Sequence, residues 1–356
     1  MCTSIKLKNK DFIVLAQNYD FYYGHGLVIT NKKGISKVAL SDDLTKKNIY
    51  SDENKGAKWK SKYGSITFNQ FARELPICGM NEVGLAIVSM WHNTEQKPKL
   101  QGENQITELQ WIQMQLDLYQ TTDEVIKNLN TVSYGVQMYP MHYHISDKTG
   151  KSVIIELVNG KLSAFTGKDI CGCSNAGIEE SQDFSKKYLQ INPEKIIIKE
   201  PILDRAAKAI LMSQHYNEQG ISINIYDRAF NILDAVNLQV GFMDLFRWIG
   251  KGIPPSQTFL QVVFDITNGK ILFKTKSNRN VREINIFNFD FSPQTPVKVF
   301  DMEKGGEENV TKLFQNYTRA DNDRIVKKSF APVKKDFPIE VQNELVEYPE
   351  ILKADK

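Results

Sequence analysis

The sequence is poor in cysteine and lacks any long apolar run, which excludes several classes of protein. Four cysteines in 356 residues are too few for a disulfide framework. Cys171 and Cys173 have no second pair at zinc-finger spacing, so the sequence predicts neither a metal nor another cofactor. No stretch approaches the ~18 consecutive apolar residues that cross a bilayer, so we predict no membrane span.

A strong excess of one charge is also missing. Lys and Arg total 45, while Asp and Glu total 42, which gives a formal net charge of +3. Because the chain has no compact block of arginines, nucleic acid is not an expected partner. Lysines and an aspartate interrupt the apolar positions near the amino terminus, so no signal-peptide core is present there. We therefore expect a cytoplasmic protein, or a periplasmic or secreted one if Met1 stands where a leader was removed.

Alternating apolar residues predict antiparallel strands toward both ends of the chain. Residues 3–7 and 11–16 form two such runs, and a short polar segment joins them as in a hairpin. A second hairpin is predicted over residues 142–157, around a turn that ends in glycine. A third is predicted where Asn268 and Gly269 separate two apolar runs, since Asn-Gly is a strong hairpin signal.

Helices are predicted between these strands. The apolar residues within 106–118 indicate one strongly apolar helix. The threonine pair at 121–122, followed by two acidic residues, is typical of a helix amino terminus, and a third helix is predicted to begin at Pro201. Because no linker separates these blocks, we predict a single α+β domain of stacked layers over residues 2–330, with 331–356 as a peripheral charged tail.

Cys2 has a chemical property that depends on its place in the chain. Removal of Met1 would make Cys2 the first residue, with a free α-amino group beside its thiol. A thiolate is the working nucleophile, and an ordinary cysteine is mostly protonated at neutral pH. The α-amino group, with a pKa of roughly 8, can accept the thiol proton directly or through one water. Such a nucleophile needs no histidine.

Several short motifs follow in a recognisable order. They are Cys2-Thr3-Ser4-Ile5, Asn18-Tyr19-Asp20-Phe21, GMNEVGLA at 79–86, Cys173-Ser174-Asn175, Asp204-Arg205 and the hairpin at 259–275. With these motifs the sequence resembles the N-terminal nucleophile hydrolases of the choloylglycine hydrolase family, which includes bile salt hydrolases and penicillin V acylases. The resemblance implies a four-layer αββα sandwich with the cysteine at the end of a central strand. Family members are often tetramers, so a homotetramer is compatible with it.

The resemblance also implies roles for individual residues. Cys2 would attack the amide carbonyl through sulfur, and its α-amino group would pass the proton to the leaving amine. Asp20 matches the aspartate that orients the amino terminus, and Arg205 matches an arginine that favours the thiolate. Asn175 matches the side-chain donor of the oxyanion hole, which in other enzymes is worth roughly 3 kcal/mol. A solvated helix arginine and a loop asparagine are the alternative interpretations of Arg205 and Asn175.

Two positions depart from the family pattern. Gln17 stands where bile salt hydrolases have an arginine, whose charge is thought to lower the thiol pKa. The segment with glutamine is also similar to the one in isopenicillin N acyltransferases. Trp91 stands where bile salt hydrolases usually have asparagine and penicillin V acylases have tyrosine. Since the family uses a backbone group there, we expect the Trp91 side chain to affect substrate fit, and we assign Gln17 and Trp91 to substrate binding.

The sequence therefore predicts an amidohydrolase that cleaves a linear C–N amide bond of a small N-acyl substrate through a Cys2 thioester. The expected substrates are of the penicillin V or conjugated bile acid type. Two alternatives stay open: an acyltransferase using the same thioester, and a catalytically silent binding protein, because Gln17 replaces the arginine. The aromatic residues within 241–250 are interpreted as ordinary core, acyl pocket or lid. His142 and His144 share a strand face, but no nearby carboxylate pair supports a metal site.

Overall fold

The computed structural model describes residues 2–21, 24–40, 55–136, 138–167, 170–200, 202–219, 224–237, 257–333 and 337–354. The strands in chain order are β1 Thr3–Lys8, β2 Ile13–Phe21, β3 Leu27–Asn31, β4 Ile35–Val38, β5 Lys58–Lys60, β6 Ser65–Asn69, β7 Pro76–Asn81, β8 Ala86–Trp91, β9 Gln105–Thr107, β10 Ser133–Gly135, β11 Met141–Ser146, β12 Ser152–Val158, β13 Lys161–Thr166, β14 Gly172–Cys173, β15 Gln257–Asp265, β16 Lys270–Thr275, β17 Arg282–Asn285, β18 Lys298–Asp301, β19 Glu308–Asn309, β20 Gln315–Asn316 and β21 Lys353–Ala354. The helices are α1 Glu108–Leu118, α2 Thr122–Lys127, α3 Ile178–Ser185, α4 Leu203–Gln219 and α5 Ile225–Ala235, followed by Arg319–Phe330 and Ile339–Glu347.

Two large sheets form the centre of the molecule. One has seven strands in the order β14-β1-β2-β15-β16-β17-β19, and the other has nine in the order β13-β12-β11-β8-β7-β6-β3-β18-β20. Small sheets are formed by β21-β4-β5 and by β10-β9. Among the strand pairs in the described ranges, only β9 with β10 and β17 with β19 run parallel. The predicted hairpins β1–β2, β11–β12 and β15–β16 are confirmed.

The seven-stranded sheet buries both of its faces. On β2, Val14 and Ala16 belong to an apolar cluster that also contains residues of α4 and α5. Leu15 belongs instead to the larger cluster, which includes Phe68 and Val88 of the nine-stranded sheet. Successive side chains of a strand point to opposite faces, so this sheet packs on helices with one face and on the second sheet with the other.

Helix α1 packs against the nine-stranded sheet. Trp111 of α1 contacts Tyr143 of β11, with ring centroids 4.5 Å apart. Gly79 of β7 permits the close approach of α1, since a Cβ there would lie 3.0 Å from Leu116 Cδ1. The layers are therefore α4 with α5, the seven-stranded sheet, the nine-stranded sheet and α1. This arrangement confirms the predicted α+β class and the four-layer αββα sandwich.

The helix boundaries differ from the prediction in one place. The helix predicted over 106–118 begins at Glu108, because Ile106 lies in β9 and pairs with β10. The next helix begins as expected, and the Thr121 side chain accepts the Glu124 N–H. The third helix is present as α4, while Pro201, its predicted first residue, and the aromatic segment 241–250 lie outside the described residues.

The segment 331–356, which the sequence predicts to be a peripheral tail, contains the helix Ile339–Glu347. Its Val341 and Leu345, and Tyr348 just after it, are buried in the large core. The division of the chain into one domain and a tail stays a prediction. Of the helices in the described ranges, none combines the length and the apolar character needed to cross a membrane.

Candidate active site

Cys2 lies immediately before β1, where contacts from the end of β2 and from the residue after β14 hold it. It is 4% exposed. Its thiol donates to the main-chain carbonyl of Asp20, with 3.7 Å between Sγ and O, and the Ser174 hydroxyl donates to the Cys2 carbonyl at 3.0 Å. β1 pairs with β2 on one side and with β14 on the other. These pairings bring Cys2 next to two segments that the sequence motifs singled out.

Asp20, near the end of β2, forms a buried ion pair with Arg205 of α4. Nη2 of Arg205 lies 2.7 Å from Oδ2 of Asp20, and the Arg205 side chain is fully buried. Thr258, which is opposite Asp20 in the β2–β15 pairing, donates its hydroxyl proton to Oδ1 at 2.6 Å. The even-numbered residues of β2 face α4 and α5, so the strand period directs this carboxylate toward the helices. The pair therefore lies on the helix side of the sheet that carries Cys2.

Burial is the main influence on the Cys2 thiol. It raises the pKa of Cys2 above the ordinary value, the Asp20 carboxylate raises it further, and the Arg205 guanidinium lowers it. Since the thiolate is the reactive species, a buried thiol that keeps its proton is a poor nucleophile. A nucleophilic role for Cys2 would therefore need a proton acceptor beside the thiol.

Asn175 lies in the loop between β14 and α3. Its Nδ2 donates to the carbonyl of Trp91 at 2.5 Å, and its own carbonyl accepts the main-chain N–H of Asn93 at 2.8 Å. Asn175 thus both donates a hydrogen bond to the end of β8 and accepts one from the loop that follows β8. Asn175 directly follows Ser174, whose hydroxyl contacts the Cys2 carbonyl, so this loop contact lies near Cys2 in space.

Gln17 lies between the two large sheets. It is fully buried, and its Nε2 donates to the carbonyl of Ser89 on β8. Its Oε1 has no hydrogen-bond partner among the described residues. The uncharged Gln17 thus links the sheets, and Arg205 is the nearby side chain that lowers the pKa of Cys2.

Aromatic side chains lie beside the Asn175 contact. Trp91 is 42% exposed and lies edge-on to Tyr139, with ring centroids 6.3 Å apart. Phe21 contacts Tyr139 from another direction, at 6.5 Å. The Trp91 carbonyl therefore takes part in the contact between the two loops, while its indole is accessible at the surface.

A narrow cavity lies near Tyr19, which follows the cross-strand partner of Thr3. Apolar and polar residues line it together, including Tyr19, His25, Gln70, Ile77, Phe259 and Met302. The space inside it accommodates about one water molecule, so it is much smaller than the ligand pockets of proteins, about 300–1,000 Å³. This cavity therefore does not form an acyl pocket.

The histidines differ in whether their ring nitrogens are available to a metal ion. His144 has both ring nitrogens occupied, with Ser4 Oγ at 2.9 Å from Nδ1 and Ser152 Oγ at 2.7 Å from Nε2. His144 is therefore not a ligand. Among the described residues, the group with the right donors is His92, His142 and Glu156. This group was not recognised in the sequence because three separate segments supply it.

Sequence reasoning overlooks two residues that contact the predicted site. Ser174 is part of the Cys173-Ser174-Asn175 motif, so its neighbour Asn175 was a usable signal. Thr258 has no local signal, because it reaches Asp20 from 238 positions away in the chain. The structure otherwise brings Cys2, Asp20 and Arg205 into one neighbourhood.

A cysteine at the start of a central strand, in two stacked sheets between helices, is the arrangement of the N-terminal nucleophile hydrolases. A family model described as linear amide C-N hydrolases, choloylglycine hydrolase family, matches residues 2–200. The chain belongs to the choloylglycine hydrolase family.

Two curated relatives match part of the chain. Penicillin V acylase of Pectobacterium atrosepticum is 29% identical over 175 residues, which are 45% of this chain and 46% of that protein. Bile salt hydrolase/transferase of Clostridium perfringens is 26% identical over 182 residues, 46% of this chain and 50% of that protein. The chain thus matches about half the length of these relatives.

Solved structures show the same fold over most of the chain. Penicillin V acylase from Agrobacterium tumefaciens superposes with a TM-score of 0.74 at 19% identity, covering 89% of this chain and 98% of that one. A mutant of conjugated bile acid hydrolase from Clostridium perfringens gives 0.68 at 16% identity, covering 87% and 98%. At these identities the likeness supports the fold.

Proposed function

We propose that the protein hydrolyses a linear amide bond of a small N-acyl compound, with Cys2 as the nucleophile once Met1 has been removed. The observation that carries this proposal is the convergence of three elements on Cys2. The β2 end supplies the Asp20 carbonyl, the β14 loop supplies Ser174 and Asn175, and α4 supplies the Arg205 charge. Family membership supports the same chemistry.

In the proposed reaction the α-amino group of Cys2 accepts the thiol proton. The raised pKa of the buried thiol makes such an acceptor necessary, and Arg205 favours the thiolate that forms. The sulfur then attacks the amide carbonyl, and the second proton of Asn175 Nδ2 is donated to the developing oxyanion. The α-ammonium group passes its proton to the leaving amine, which leaves a thioester. Water hydrolyses the thioester and regenerates the thiol.

The roles of the remaining residues follow from their positions. Asp20 holds Arg205 by its carboxylate and Cys2 by its carbonyl, so it aligns the nucleophile with the cation. The exposed Trp91 indole contacts the acyl part of the substrate. Gln17 does not reach the substrate surface but supports it, because its hydrogen bond to Ser89 joins β2 to β8. An aromatic or other apolar acyl group, as in penicillin V or a conjugated bile acid, suits such a surface.

The test combines mass spectrometry with a matched pair of variants. Purified protein should have lost one methionine, and a slowly hydrolysed N-acyl substrate should leave an acyl adduct on Cys2. Cys2→Ser is expected to reduce kcat for penicillin V or a conjugated bile acid by at least 100-fold, since serine is a weaker nucleophile with the same base. Cys171→Ser, at another buried cysteine, should leave kcat unchanged. An active protein that retains Met1 would contradict the proposal.

Added amine distinguishes hydrolysis from acyl transfer. With the same thioester, an acyltransferase would form the N-acylated amine at the expense of free acid. Under the proposed hydrolysis, free acid remains the main product when glycine or taurine is present at millimolar concentration.

A further inference from the structure

A buried cluster of ionisable side chains lies directly behind the Asn175 contact, and the proposed reaction does not use it. It consists of His92, which follows Trp91, His142 of β11 and Glu156 of β12. All three are buried. His142 Nδ1 lies 3.4 Å from Glu156 Oε2, and the His92 and His142 rings stack with centroids 4.8 Å apart.

The cluster connects the two loops that hold Asn175. Glu156 accepts the Ile178 N–H at the start of α3, at 3.2 Å to Oε2 and 3.3 Å to Oε1. His142 also lies 3.8 Å from the sulfur of Cys173, two positions before Asn175. His92, stacked on His142, belongs to the loop whose Trp91 carbonyl accepts the Asn175 amide. The cluster thus contacts one loop through His92 and the other at both ends of the Asn175 segment.

The pKa values of the two histidines are shifted in opposite directions. Burial lowers the pKa of His92 to about 4, and nearby His142 lowers it too, so its ring is neutral at pH 7. Burial also lowers the pKa of His142, but the Cys173 sulfur and the Glu156 carboxylate outweigh it and raise the value to about 10. The protonated His142 ring thus forms a buried ion pair with the Glu156 side chain. The titratable groups that face the two rings are Glu156 and Cys173 and, on the same strand as His142, His144.

Metal binding is the competing interpretation of the same side chains. Their donor atoms lie within 4.8 Å of one another, and both His142 Nε2 and His92 Nδ1 lack a hydrogen-bond partner. However, the two rings are nearly parallel, at 12°, and stacked face to face. A metal ion binds in the plane of an imidazole ring, so two stacked rings cannot share an ion unless one rotates. The observed geometry therefore favours an ion pair with a stacked neutral ring.

We propose that His142 and Glu156 are positioning residues, which hold the loops after β8 and β14 so that Asn175 is aligned with Cys2. This inference rests on the proposed function and extends it to residues that do not touch the substrate. Misplacement of a donor by about 1 Å can reduce a rate by about 100-fold, so a remote pair can control catalysis in this way.

The first test uses Glu156→Gln, with Glu179→Gln on the exposed start of α3 as the matched control. Loss of the Glu156 charge should leave kcat about 10- to 100-fold lower with little change in KM. Glu156→Asp should restore part of kcat. Unchanged kcat in folded E156Q would overturn the proposal.

A second measurement does not depend on catalysis. Amide hydrogen exchange at Asn93 and Ile178, whose N–H groups close the two loops, should be at least tenfold faster in E156Q than in wild type or E179Q. Unchanged exchange would overturn the positioning role even if the protein proved inactive toward every N-acyl substrate. Inactive wild-type protein with the expected exchange would reject only the proposed function.

Zinc titration tests the competing interpretation. Wild-type protein treated with a chelator should show no binding of Zn²⁺ at micromolar concentration by calorimetry. Binding in this range that E156Q abolishes would overturn the proposal, since the side chains would then serve an ion.

Discussion

At the scale of single residues, Asp20 and Arg205 are two buried, oppositely charged side chains near Cys2. Both are removed from water, and their separation of 2.7 Å makes them a close ion pair. The desolvation of two such ions is offset only while both are present. The pair is therefore sensitive to changes that remove one charge, independently of any catalytic role.

Asp20→Asn is expected to lower the free energy of unfolding by about 3–5 kcal/mol, because it leaves Arg205 buried without a counter-charge. Urea unfolding followed by tryptophan fluorescence measures the change. In the double variant D20N/R205L both charges are absent, so part of the lost stability should return. Strictly additive losses in the double variant would show that the two charges are not coupled.

Among the secondary-structure elements, the short strand β14 decides where Asn175 lies. It pairs with β1 through Cys173 opposite Ser4 and Gly172 opposite Ile5. It also lies against α4, and a Cβ on Gly172 would come within 2.8 Å of the Ile210 main-chain nitrogen. Backbone atoms cannot move aside as a flexible side chain can, so only glycine allows this approach.

Gly172→Ala is expected to destabilise the protein by about 1–3 kcal/mol, since the added methyl group separates β14 from α4. It should also lower kcat, because Ser174 and Asn175 follow directly. Thermal unfolding and steady-state kinetics provide the measurements. Gly305→Ala is the control, since no atom lies within 4 Å of the added carbon. Equal stability of the two variants would contradict the close packing of β14 on α4.

For the molecule as a whole, buried neutral histidines connect folding to pH. Burial lowers the pKa of His25 and of His92 to about 4, and that of His144 to about 3. In an unfolded chain a histidine has a pKa of about 6.5. Below that pH the unfolded chain binds protons that the folded protein does not, so stability falls as the pH falls. His142 acts in the opposite sense, and its contribution is lost as the pH rises toward about 10.

Above about pH 6.5 these three histidines should not reduce the free energy of unfolding measured in urea. Toward pH 4 the free energy of unfolding should fall progressively. His25→Gln should make this acid dependence shallower, by about 1–3 kcal/mol between pH 7 and pH 4. His215→Gln, at an exposed histidine, is the control and should retain the wild-type dependence. A His25→Gln profile that matches wild type would show that His25 is not responsible.

Local sequence was sufficient to predict the hairpins, the start of α2 and the stacked α+β architecture. Period-two alternation and Asn-Gly turns act between neighbouring residues, so they are visible before folding. The motifs also identified Cys2, Asp20 and Arg205, which the structure brings together. The start of α1 was misplaced because Ile106 pairs with β10, a contact that an apolar period does not reveal.

Long-range strand pairing decided the remaining features. Thr258 reaches Asp20 only because β15 lies beside β2, and His92, His142 and Glu156 meet only because β8, β11 and β12 are neighbours. Gln17 is a further example. The sequence shows that it lacks the charge of an arginine, but its hydrogen bond to Ser89 depends on how the two sheets stack. Such contacts join residues that are distant in the chain, and no local periodicity or motif encodes which distant strands become neighbours.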